Sequence, residues 1–137
     1  MDTTLIILLA GCVVFGVFLL FVFKFIHKSS NKLNQEFYRE KWAIIETNSL
    51  TQAGWISAVV EADKLLDHAL KKLDYKGKTM GERMVSASRA FSDTDRTWSA
   101  HKLRNRVVHE ASINLKQKHV DLALGSFRKA LKDLGAL

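Results

Sequence analysis

Hydrophobic and polar positions along this chain fall into two unlike patterns. From Leu5 to Phe23 the letters run LIILLAGCVVFGVFLLFVF, 19 residues without a charge. Beyond Lys32 the apolar positions thin out and recur at three and four, the period of a helix with one buried face, and no strand alternation competes. Leu33, Phe37, Ile44 and Ile45 predict a first helix over about 31–47. Ser49 with Gln52 reads as a capping box. Behind it Trp55, Val59, Ala62, Leu66, Ala69, Leu70 and Leu73 form the stripe of a second helix, stopped near Gly77. Thr79 and Glu82 cap a short third helix with Met80, Met84, Ala87 and Phe91 inward. Ser92 and Asp95 open a fourth helix. After the softer EASINL, a last one repeats Val120, Ala123, Leu124, Phe127, Leu131 and Leu134.

The fold class predicted is all-α, an N-terminal single transmembrane helix followed by a four- to five-helix up-down bundle. As a helix the apolar run would rise roughly 28 Å, close to the thickness of a bilayer core. Asp2 precedes it, whereas Lys24, His27, Lys28 and Lys32 follow it, an asymmetry that keeps the basic flank on the cytoplasmic side. A cleaved signal peptide would want the opposite order of charge and a shorter core. The expected organisation is a transmembrane anchor over 1–26, a juxtamembrane helical linker over 27–41 and a cytoplasmic helical bundle over 42–137. The expected location is the inner, cytoplasmic membrane, crossed once, with the C-terminal domain in the cytoplasm. Lys24, Lys28 and Lys32 would then meet lipid headgroups. Cys12 and Gly16 make a small-xxx-small pair that could seat two such helices together.

Composition narrows the function. The formal net charge is +7, there is no proline, and the single cysteine excludes a disulfide within one chain. The last third leans basic, which suits an anionic partner or simply a solvated surface. Five histidines raise the question of a metal, but no Cys pair, HExxH or Glu-x-x-His pattern exists, and His101 and His109 are too far apart on one helix to share an ion unaided. No phosphate-cradling glycine loop exists either, so neither metal nor cofactor is expected. Trp42 and Trp55 read as packing anchors, and His68 and His119 as surface residues.

The concentrated chemistry lies in HKLRNRVVHE, residues 101–110. On a helical wheel Ala100, Leu103, Val107 and Ala111 form the core face. His101, Asn105 and His109 line a different face, with Arg104 at its border. Arg104-Asn105-Arg106-Val107-Val108-His109 resembles the motif of HEPN domains: Arg, a polar residue, three variable residues, then His. AVVEADKLLDHAL, YKGKTMGERM and WSAHKLRN also look like membrane-anchored bacterial members of that group, so the similarity spans about 42–134. The resemblance implies a helical bundle that dimerises with two motif helices face to face, forming one composite, metal-independent endoribonuclease site. In that reading Arg104 and His109 are catalytic and Asn105 supports them, while His101 and Arg106 lie outside the motif as auxiliaries. A nuclease of this kind also implies a neutralising protein partner.

The residue types suit that reaction. Cleavage of RNA by its own 2′-hydroxyl needs a proton removed, a proton delivered and phosphate charge neutralised. Histidine can shuttle protons near neutrality, and the arginine fork can clamp phosphate oxygens. The competing readings are structural. Arg104 could instead pair with Glu61 or Asp63 on the second helix as an internal link. The bundle would then be a non-catalytic scaffold or oligomerisation module that recruits a protein partner.

Overall fold

The computed structural model describes residues 3, 11–20 and 32–137. Among these no helix is long and apolar enough to cross a membrane. Residues 11–20 are helical and mostly exposed. The remainder of the predicted anchor, 4–10 and 21–26, lies outside the described residues, as do Lys24 and Lys28. Lys32 is exposed. The transmembrane part of the predicted fold class is thereby corrected.

A compact unit spans Asn31–Leu137. Its five α-helices among the described residues are α1 (Gln35–Ser49), α2 (Trp55–Lys72), α3 (Met80–Ser86), α4 (Thr94–His109) and α5 (Gln117–Asp133). α1 starts where the Asn34 side chain accepts from the Phe37 N–H at 3.3 Å. It buries Tyr38, Trp42 and Ile45, while Ile44, expected inside, is 55% exposed. The helix runs straight through the predicted boundary at 41/42. The bundle therefore begins well before residue 42.

Ser49 does not cap α2. Its hydroxyl donates back to the Glu46 carbonyl at 2.7 Å, and a 3-10 turn, Gln52–Gly54, leads into the helix. α2 is the central element and packs against all four other helices. Ala58, Val59, Ala62, Leu66, Ala69 and Leu70 are completely buried on it. Its three alanines let neighbouring backbones close in, while burial of Leu66 and Leu70 contributes about 2 kcal/mol each. The helix stops at Asp74, not at Gly77. Asp74 takes a left-handed φ of 67°, and the Asp74 and Tyr75 N–H groups return to the Lys71 and Leu70 carbonyls, each at 3.0 Å. Gly77 is needed for contact and conformation together: its φ is 153°, and a Cβ there would lie 2.6 Å from the Arg83 nitrogen.

Thr79 caps α3 as expected, accepting from the Glu82 N–H at 3.2 Å, and Met84, Ala87 and Phe91 are buried. Asp93, not Ser92, caps α4 by accepting from the Arg96 N–H at 3.1 Å. Ser92 instead donates its N–H and hydroxyl to Asp133, at 2.8 and 2.7 Å. That contact joins the start of α4 to the end of α5, so the two helices run antiparallel. The contact of Tyr38, early in α1, with His68, late in α2, shows the same for that pair. α5 buries Val120, Ala123, Leu124, Phe127 and Leu131 as its rhythm predicted, and ends in a left-handed Gly135.

Candidate functional site

α2 turns two carboxylates into the bundle one helical turn apart. Asp63 sits inside the apolar stripe, four residues after Val59 and three before Leu66, and is 3% exposed. A carboxylate this deep must be paired. Its Oδ1 is 2.7 Å from His101 Nδ1, and its Oδ2 is 3.4 Å from Arg104 Nε. A carboxylate oxygen accepts, so His101 Nδ1 is the donor in that contact, and the Nε2 of the ring is left facing Asn105. Asn105 Nδ2 lies 3.4 Å from that Nε2, and Asn105 Oδ1 accepts from Arg104 Nη1 at 2.9 Å. The four side chains thus close a ring: Asp63, His101, Asn105, Arg104 and back to Asp63. The spacing 101, 104, 105 makes this possible, because residues three and four apart share one face of α4.

The Arg104–Asp63 link is the loosest of the four. By distance it is an ion pair, but the Arg104 Nε–H is buried and makes no hydrogen bond. Its direction is wrong for one, so the attraction there is coulombic. Trp98 closes the site from the side, its ring edge-on to His101 with centroids 5.9 Å apart. α3 packs behind it, where a Cβ on Gly81 would touch the indole at 3.4 Å.

Of the residues predicted to act together, the structure gathers Arg104, Asn105 and His101. It does not bring in His109 or Arg106. His109 is the last residue of α4, exposed, and without a polar partner among the described residues. Arg106 is exposed and holds Glu110 through two hydrogen bonds, at 3.0 and 3.2 Å. His101, read as an auxiliary on a face different from the core face, is buried within the ring. The signal for Asp63 was present in the sequence: one acid standing alone on the apolar stripe of α2.

The second carboxylate, Asp67, serves α3. Its Oδ1 accepts from Arg83 Nε at 2.7 Å and its Oδ2 meets Lys71 Nζ at 2.7 Å, while Arg83 Nη1 donates to the Gly77 carbonyl at 2.7 Å. Burial is the largest influence on this carboxyl and opposes its ionisation. The hydrogen bonds and charges of Arg83 and Lys71 together outweigh it and hold the pKa below the ordinary value. His68, expected at the surface, is half-buried. Its Nδ1 is 2.9 Å from the Tyr38 hydroxyl, and its ring packs on Phe37. Burial first, then the positive charges of Lys72 and Lys71, push its pKa down.

Both groups therefore bind protons more weakly in the folded chain than in the unfolded one. Stability from His68 is complete above about pH 6.5 and is lost as pH falls through its lower folded value. That from Asp67 is complete above about pH 4 and is lost below it. Thermal melts from pH 8 to pH 3 should show two successive losses, and His68→Gln should flatten the first only. A flat wild-type profile between pH 8 and pH 5 would remove His68 from this account.

Among the described residues no three His, Cys, Asp or Glu side chains converge as a metal-holding group. No family model, no curated protein and no solved structure matches the chain.

Proposed function

We propose that the bundle is a non-catalytic recognition module in which the Arg-Asn-x-x-x-His helix is an internal spine. The closed ring of Asp63, His101, Asn105 and Arg104 supports this reading. A phosphate clamp needs a guanidinium free to face substrate. Arg104 instead lies 3.4 Å from a nearly sealed carboxylate and donates to the neighbouring amide. Turning it outward would strip a buried Asp63 of the one Arg or Lys paired with it among the described residues, which costs on the order of 2–3 kcal/mol before any substrate is bound. His109 is the last residue of α4, exposed, and among the described residues no polar group orients its ring.

One observation favours a second reading, RNA cleavage of the HEPN kind. The Arg104 side chain keeps 26% of its surface exposed, and His109 is open. Two α4 helices facing each other in a homodimer could then combine their exposed edges. Full-length protein incubated with mixed RNA in EDTA separates the two. The recognition-module reading expects intact RNA for wild type and His109→Ala alike, with His109→Ala as stable as wild type. Cleavage by wild type that both His109→Ala and Arg104→Ala abolish while remaining folded would overturn it.

A further inference from the structure

A groove of about 690 Å³ runs between α4 and α5, on the other side of α4 from the ring. Ala100, Leu103, Ile113, Leu122 and Ala123 give it an apolar lining, and Leu122 is 55% exposed. Small side chains, Ser99 and Ala100 on one wall and Ala123 and Ser126 on the other, leave depth for something larger to enter. The charged residues in the lining are Arg96, Lys102 and Arg106, all basic. Asp93 and Glu110, just outside it, meet Arg96 at 3.4 Å and Arg106 at 3.0 Å in pairs whose arginines are exposed. Such pairs are worth little and exchange readily for another acid. Lys102 has no ion-pair partner among the described residues. His119 lies at the same edge.

The geometry points to an amphipathic helix of a partner protein as the occupant, with leucine-like anchors on one face and Asp or Glu along its flanks. This rests on the recognition-module reading and names its partner class. The wall from Arg96 to Arg106 is about 15 Å long, three helical turns, which suits anchors spaced i, i+3 or i+4, and i+7. Apolar anchors would fill the lining and acids would meet the basic rim, fixing orientation and excluding cationic helices. The lining holds no Phe, Tyr or Trp ring, so the broad platforms on which bases stack best are missing from it. A second copy of the chain would bring its own +7 against the same rim.

The test uses the full chain and a labelled, hydrocarbon-stapled three-turn peptide with leucines at i, i+3, i+4 and i+7 and glutamates on the flanks, read by fluorescence anisotropy. Saturable binding is expected, weakened roughly tenfold or more by Leu122→Glu. A lysine-flanked version of the peptide should bind roughly tenfold more weakly, and Lys102→Glu should narrow that preference. Both substitutions fall on exposed positions, and unchanged melting confirms that the fold is kept. Equal binding of the two peptides, no binding at all, or unaltered affinity in Leu122→Glu overturns the proposal. So does displacement of the peptide by single-stranded RNA, or self-association that Leu122→Glu abolishes, since either assigns the groove elsewhere. RNA cleavage is scored separately, so the groove can fail while the reading of the ring stands.

Discussion

Asp63→Ala is expected to lower the stability of the bundle by about 3 kcal/mol, a fall of roughly 15 °C in Tm for a domain of this size. Removing the carboxylate leaves His101 Nδ1–H with no acceptor and Arg104 with no counter-ion, both facing a site that water barely reaches. Arg104 can swing partly into solvent, because a quarter of its side chain is already exposed. The cost therefore falls toward the lower end for a broken buried pair. Asp63→Asn keeps the shape and one oxygen for His101 but loses the charge opposite Arg104, so about half the loss is expected. Urea unfolding followed by circular dichroism measures both. An Asp63→Ala chain within about 0.5 kcal/mol of wild type, the range of an indifferent surface change, would show that the ring holds nothing together.

The second large effect is expected at Gly54. A Cβ added there would lie 1.9 Å from the Asn48 carbonyl oxygen, where the 3-10 turn folds back against the end of α1. The backbone at Gly54 has φ −91° and ψ −8°, ordinary for any residue. The penalty in Gly54→Ala is thus one of contact alone, relieved only by prising the α1–α2 turn apart. About 2–4 kcal/mol is the expected loss. Gly125 provides the opposite case. It lies in the middle of α5, and nothing stands within 4 Å of its Cβ position. Gly125→Ala should therefore raise stability by about 0.5–1 kcal/mol through helix propensity. A melt showing Gly54→Ala unchanged would mean that the turn is far looser than the close approach of Asn48 implies.

The parts of the fold legible in the sequence are those where large apolar side chains recur without competitors. α2 and α5 are such stripes, and their buried faces match the expected ones. α1 was misphased because its inward residues are Tyr38 and Trp42, amphipathic side chains that do not announce a face, beside a pair of isoleucines of which one is outside. The capping residue of α4 was misplaced by one position, where candidates stand close together. Ser92 and Asp93 offer the same chemistry, and only the tertiary contact of Ser92 with Asp133 decides between them. The apolar N-terminal run predicted a membrane helix from letters alone, whereas among the described residues no helix is long and apolar enough to cross a membrane.

The candidate site was half legible. The spacing of His101, Arg104 and Asn105 placed them together on one helix. Their shared partner is 38 residues from His101 in the chain and belongs to another helix. Pattern reading offered Asp63 beside Glu61 as equal choices for Arg104, and burial decides: Glu61 is exposed, whereas Asp63 faces the core. The isolation of His109 depends on α4 ending at that residue, which the EASINL stretch indicated only loosely.

The most direct test of the inward-facing arginine is a double-mutant cycle between Asp63 and Arg104, read as unfolding free energy at neutral pH. Their contact is the weakest link of the ring, so coupling there requires the others to be in place. If Arg104 is committed to the interior, Arg104→Ala alone should destabilise the protein, and the two substitutions together should cost about 1 kcal/mol or more less than their sum. Additivity within about 0.3 kcal/mol, with Arg104→Ala leaving stability unchanged, would contradict the account and return that guanidinium to the surface.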